Sequence, residues 1–151
     1  MKQVPHISTR LPSLTLDPTD WIEARKLGHK MVDDMLNMLE NVRESPTWQP
    51  MPENVKNFFK TSIPLSPNNP DEVYDNFKKY ILPYKTGTIH PRFWGWVKSS
   101  GTVMGAFGDF LMSSMNSNAW GGDQSSSYIE TQVLNWMKEI FDFPPQSTGL
   151  M

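Results

Sequence analysis

The sequence predicts a mainly α-helical chain, and three observations carry that prediction. Apolar residues recur at intervals of three and four in the longer segments. Cap-forming Asp, Asn and Ser residues stand just ahead of them. No alternating apolar and polar run is long enough to specify a β-strand.

Residues 1–16 are polar and broken by Pro5 and Pro12, and they read as an extended arm. Asp17 followed by Pro18, with Asp20 three positions beyond the cap, predicts a helix from about Pro18 to Arg43. Gly28, Val32, Met35, Leu39 and Val42 form its apolar stripe, which Met31 and Met38 widen. The linker ESPTWQPMPENV leads to a short helical piece through NVKNFF, and the loop SIPLSPNNP follows. Asn69 then caps a helix with Pro70 at its first position. Val73, Phe77 and Ile81 line one face of it, and Pro83 ends it.

Further on, GTVMGAFGDFLMSSMN predicts a third long helix, on which Gly101, Gly105 and Gly108 leave a smooth face for another backbone to approach. The loop NSNAWGGDQSS is too polar and glycine-rich for regular structure. A last helix is predicted from Ser127, where Ser127 and Glu130 have the spacing of a capping box. Its stripe is Ile129, Val133, Trp136 and Ile140, and it ends before Pro144 and Pro145. There is no internal repeat and no low-complexity tract.

Composition narrows the function. At 151 residues and 38% apolar content, the chain suits one domain with one small core. Lys plus Arg number 14 against 16 Asp plus Glu, so the basic excess that nucleic-acid binding requires is missing. The absence of cysteine excludes disulfides and thiolate metal sites and fits a reducing compartment. The start MKQVPHISTRL has no apolar signal region, and the longest apolar stretch, VMGAFGDFLM, is broken by Asp109 and too short to span a bilayer. A cytoplasmic protein without membrane segments is the expectation.

Catalytic motifs are mostly missing. GWVKSSGT has the residue types of a phosphate loop, but Lys98 precedes Gly101 where a P-loop places lysine after its second glycine. GGDQSSS reads as a helix-capping loop in preference to an anion cradle. His6, His29 and His90 lack a second ligand at metal spacing and read as surface or hydrogen-bonded histidines, so no metal site is expected. No Ser-His-Asp or Gly-x-Ser-x-Gly arrangement occurs.

One segment asks for more. HPRFWGWVKSSGT, residues 90–102, gathers a histidine, an arginine, a lysine and three large aromatics. Together with ARKLGHKMVDDML, WQPMPENV, ILPYKTGTIHPRFWGWVKSSGT, DFLMSSMNSNAWGGDQSS and YIETQVLNWMKEIFDFP, in that order, it resembles the start of a pyridoxal-phosphate-dependent group II amino-acid decarboxylase. The likeness is to the aromatic-L-amino-acid decarboxylase type and covers the chain from about residue 17.

The resemblance implies a parent with the α/β fold of the aspartate-aminotransferase-like enzymes, of which this chain is the N-terminal helical portion. Residues 1–16 would be the arm, 17–89 the helical dimerisation segment, and 90–151 the substrate-pocket segment leading into the large domain. The implied reaction removes the α-carboxylate of an aromatic L-amino acid to give an amine and carbon dioxide. In such enzymes pyridoxal 5'-phosphate is bound through a lysine Schiff base and acts as the electron sink, while the protein supplies orientation and electrostatics. That lysine, the phosphate-binding turn and the aspartate for the pyridine nitrogen would lie beyond Met151. The 151 residues alone are therefore expected to contain no catalytic or cofactor-binding residue and to be inactive.

By the same resemblance, Trp96 is an aromatic wall of the substrate pocket, and Lys98 and Ser99 lie near the amino-acid end of the substrate. Asn118 and Trp120 reach into the pocket of the other subunit. Phe93 and Trp94 read as core. Relatives often have histidine where this chain has Gln124 and proline where it has Ser126, so the loop departs from the family pattern there. A homodimer through the N-terminal helices is implied. Two alternatives stay open: a stand-alone helical dimerisation or interaction module, and a family member whose oxidative decarboxylation yields an aldehyde.

Overall fold

A computed structural model describes residues 15–118 and 122–151. Among the described residues there are helices, turns and loops and no strand. The chain divides into two compact units, one ending at Ser100 and the other running from Gly101 to Met151.

In the first unit, helix α1 spans Trp21–Glu40. It starts later than the sequence predicts because Asp20, not Asp17, is the cap. One Asp20 carboxylate oxygen accepts from the backbone N–H of Ile22 at 2.8 Å and of Glu23 at 3.1 Å, satisfying two donors of the first turn. Asp17 accepts instead from the Thr15 hydroxyl. The helix ends at Asn41, and a 3₁₀ turn carries the chain through Val42–Glu44.

Helix α2, Glu53–Phe58, is the short piece foreseen in NVKNFF. Val55 is buried, and Phe58 stacks on Tyr80 with ring centroids 4.0 Å apart. Helix α3, Pro70–Asn76, begins as predicted, with the Asn69 side chain accepting from the Asp71 N–H at 2.8 Å. It widens into a π-helical turn over Phe77–Ile81, then tightens to 3₁₀ at Leu82–Tyr84, where Pro83 stops it.

Helices α1 and α3 meet through a polar cluster at the edge of an apolar groove. Buried Tyr74 donates to Asp34, and Lys78 lies 3.5 Å from the same Asp34 oxygen and 3.4 Å from Asp75. The groove, of about 630 Å³, is lined by Leu27, Met31, Met35, Met38, Val73 and Phe77. It stays open to solvent: Val73, Phe77 and Ile81 are all exposed, and no residue of α1 is buried.

In the second unit, helix α4 spans Val103–Met115. The Thr102 hydroxyl accepts from the Gly105 N–H at 3.0 Å, and Asn116 ends the helix in the left-handed conformation. Helix α5, Ser125–Ile140, begins two residues before Ser127. Ser127 is thus inside the first turn, and Glu130 accepts from the N–H of Met151 instead of closing a capping box. The residues after α5 fold back along it: the Lys138 ammonium donates to the carbonyls of Pro145 and Ser147, and Gly149 packs on Leu134. Ile129, Trp136 and Ile140 of the predicted stripe are exposed.

The core is correspondingly small. Among the described residues, Val55 and Tyr74 are the buried large side chains of apolar character, while many Met, Phe, Leu and Trp side chains face solvent. No described helix is long and apolar enough to cross a membrane.

Candidate functional site

The site is a turn built from the segment 87–99. A 3₁₀ turn at Gly87–Ile89 opens it. Gly87 is buried so tightly that an added Cβ would collide with the Thr47 carbonyl oxygen and lie 2.7 Å from the Phe93 ring. Only glycine lets the two stretches come so close. His90 follows, 4% exposed, its N–H donating to the Gly87 carbonyl at 2.8 Å and its carbonyl accepting from the Phe93 N–H at 2.9 Å.

The His90 ring completes the turn. Its Nδ1 accepts the Arg92 N–H at 3.0 Å and lies 3.2 Å from the Thr47 hydroxyl. An Nδ1 that accepts carries no proton, so the ring hydrogen is on Nε2. That nitrogen is buried without a partner. His90 is thus the hydrogen-bonded histidine that the sequence suggests, and buried as well.

The aromatic side chains leave the turn in different directions. Phe93 is half-buried and meets Trp96 edge-on, with centroids 5.9 Å apart. Trp94, read from the sequence as core, is 92% exposed, because the turn projects it away from the unit. Trp96 is 69% exposed and has a φ of 60°, a left-handed backbone that a bulky side chain adopts at a cost of about 1–2 kcal/mol. Lys98 lays its ammonium 4.9 Å from the Trp96 ring centroid, a cation–π contact. Ser99 is exposed two residues after Val97. Trp96, Lys98 and Ser99 are therefore together on one short exposed segment.

Asn118 belongs to the second unit, where its carbonyl accepts from the Gln124 side-chain amide across the loop. Trp120 lies outside the described residues. Sequence reasoning missed Thr47, which sits in a proline-flanked linker with no periodic signal, and the tight seat of Gly87. A glycine just ahead of the unusual HPRFWGW run was the available clue.

The strongest electrostatic perturbation is elsewhere, beside the groove. Burial, and then the hydrogen bond to Asp34, push the Tyr74 phenol up to about 12. The same hydrogen bond, followed by the Lys78 charge, holds the Asp34 carboxyl below its ordinary value. In the second unit the hydrogen bond to Asp123 raises the Tyr128 phenol.

No group of three His, Asp or Glu side chains converges on a metal position among the described residues. No protein-family model matches the chain. It is 25% identical over 135 residues to tyrosine decarboxylase 1 of Narcissus pseudonarcissus, covering 87% of this chain and 26% of that one. It is 27% identical over 134 residues to phenylacetaldehyde synthase of Arabidopsis thaliana, covering 87% and 27%. The fold matches the TDC of Oryza sativa solved with PLP and tryptamine, with a TM-score of 0.72, 21% identity, and coverage of 86% of this chain and 27% of that one.

The chain resembles the N-terminal portion of the plant aromatic amino-acid decarboxylases. The resemblance read from the sequence holds, and the chain spans about a quarter of the length of the curated relatives it matches. In this decarboxylase-like chain the described lysines do not fit a Schiff base. Lys26, Lys30, Lys56, Lys60 and Lys78 are in exposed or half-exposed ion pairs, Lys79 lies over the Tyr80 ring, Lys85 donates to the Leu82 carbonyl, Lys138 caps the returning tail, and Lys98 lies on Trp96 at the surface. Lys138 lines a cavity of about 550 Å³ beside α5, and that lining holds no carboxylate for a pyridine nitrogen.

Proposed function

We propose that these residues are the N-terminal part of a pyridoxal-phosphate-dependent decarboxylase that converts an aromatic L-amino acid to its amine and carbon dioxide. The supporting observation is the hydrogen-bonded turn that holds Trp96 out on a left-handed backbone, within a chain whose relatives are named for aromatic substrates. Strain at an exposed aromatic side chain is understandable where the ring must meet a ligand. A flat indole orients an aromatic substrate at small entropic cost. Lys98 and Ser99 contribute polar contacts at the amino-acid end, and Asn118 and Trp120 reach the neighbouring subunit's pocket. The cofactor is held by residues other than these, in a large α/β domain, and the protein acts in the cytoplasm.

The partner is a second copy. The open groove along α1 and α3, with exposed Val73, Phe77 and Ile81, supports a homodimer formed through the N-terminal helices. Apolar surface of that kind is unusual on a monomer. One relative, the phenylacetaldehyde synthase, favours aldehyde formation as the second reading. A helical interaction module is the third, and the exposed faces of α4 and α5 are its support.

The test is a product assay on the protein encoded by the whole reading frame, with pyridoxal phosphate and L-tyrosine, L-tryptophan or L-phenylalanine. Amine with stoichiometric carbon dioxide supports decarboxylation; aldehyde with ammonia and peroxide supports the second reading; no turnover favours the interaction module.

A further inference from the structure

We propose that His90 is a positioning residue: its neutral imidazole, clamped between Thr47 and Arg92, sets the turn that holds Trp96 in its strained, ligand-facing pose. The inference deepens the reading of Trp96 as a pocket wall and rests on it for the catalytic consequence alone.

The contacts form an unbroken path. The His90 backbone uses both of its polar groups inside the turn, to Gly87 and to Phe93. Its ring Nδ1 accepts the Arg92 N–H at 3.0 Å, fixing the chain just after Pro91, and lies 3.2 Å from the Thr47 hydroxyl, in a linker 43 residues away. Phe93, placed by that turn, packs against Gly87 and meets Trp96 edge-on, and Trp96 in turn carries the Lys98 ammonium.

The two ring nitrogens differ in their surroundings, and Nε2 is buried without a partner among the described residues. A donor shut away from water and without an acceptor opposes folding. Among the described residues, the ring's polar contacts are made at Nδ1. What an apolar side chain of the same size cannot supply is the acceptor at Nδ1, aimed at the Arg92 N–H. Asparagine carries its amide oxygen near the Nδ1 position, with its NH2 group near the ring Cδ2 in place of the Nε2–H. Glutamine carries its amide near the Nε2 position and leaves the Arg92 N–H unpaired.

That difference makes the test. The Trp96 ring current should shift the Lys98 side-chain methylene protons upfield in a proton–carbon NMR spectrum of the 151-residue chain, with Trp96→Ala identifying the effect. His90→Asn should keep the shift and His90→Gln should abolish it, at unchanged helical circular dichroism. Thr47→Val, which keeps the side-chain volume and removes one contact to Nδ1, should reduce the shift and covers the case in which His90→Gln fails to fold. Equal retention of the shift in all three variants, or its loss in His90→Asn with the helices intact, overturns the proposal.

In the complete enzyme, His90→Gln should raise the KM for an aromatic amino acid more than it lowers kcat, with rescue by His90→Asn. A lost NMR shift with unchanged kinetics leaves the positioning role standing and removes Trp96 from the pocket wall.

Discussion

Tyr74 donates its hydroxyl to Asp34 at 2.8 Å, joining α3 to α1 across 40 residues of sequence. The bond makes the first unit sensitive to pH at both extremes. Tyr74 is held up to about 12 in the folded chain against 10.0 for an ordinary phenol. Its contribution is complete below pH 10 and declines as pH rises from 10 toward 12, where the unfolded chain ionises first. Asp34 is shifted the other way, so its contribution is present above about pH 4, near its unfolded value, and declines as pH falls through its lowered folded value. Urea unfolding midpoints should fall in both ranges. Tyr74→Phe should flatten the alkaline fall and lower the urea midpoint at neutral pH, since the bond to the charged Asp34 is lost.

Gly87 and Gly28 should respond oppositely to alanine. At Gly87 the new methyl meets the Thr47 carbonyl and the Phe93 ring. Gly87→Ala should therefore destabilise by about 1–3 kcal/mol, a typical overpacking cost. At Gly28, inside α1, nothing lies within 4 Å of the added Cβ. Gly28→Ala should stabilise the chain by roughly 0.5–1 kcal/mol through helix propensity. Paired denaturation curves check both signs.

Trp96 should show strain exchanged for function. Its φ of 60° suits glycine, and relief of that strain is worth about 1–2 kcal/mol. Against it stand the lost Phe93 edge contact and the added freedom of the unfolded chain, each near 0.5–1 kcal/mol. With the Lys98 contact also lost, Trp96→Gly should thus leave denaturation midpoints level or slightly lowered. The same change should raise the KM for an aromatic amino acid in the complete enzyme by about tenfold, the effect of some 1.4 kcal/mol of lost binding.

Self-association should depend on the groove. Val73→Glu together with Phe77→Glu adds charge to its exposed apolar lining. Sedimentation should show a dimer or larger species for the unaltered chain and a marked shift toward monomer for the double variant.

Helix order and most boundaries were legible in the sequence because they depend on local signals. Asn69 with Pro70 marks the start of α3 by its own side-chain geometry, and Pro83 marks its end by a missing donor. The first cap was misplaced because Asp17 and Asp20 are chemically equivalent, and the choice between them rests on which carboxylate reaches the N–H groups of Ile22 and Glu23. Ser127 lost its cap role for a similar reason: helical backbone extends back to Ser125. Trp96, Lys98 and Ser99 were readable as one segment by adjacency. The Thr47–His90 contact and the Gly87 seat were not, since they join distant stretches and carry no period. Trp94 misled because an aromatic ring has the same letter whether a turn points it inward or outward.

The most direct measurement compares two proteins in one assay: the 151-residue chain and the product of the full reading frame, each given pyridoxal phosphate and carboxyl-labelled aromatic amino acid. Labelled carbon dioxide should come from the longer protein, at a rate reduced by Trp96→Gly at low substrate, and none from the 151 residues alone. Release by the shorter chain, or none by the longer one, would contradict the assignment of these residues to the substrate side of a decarboxylase.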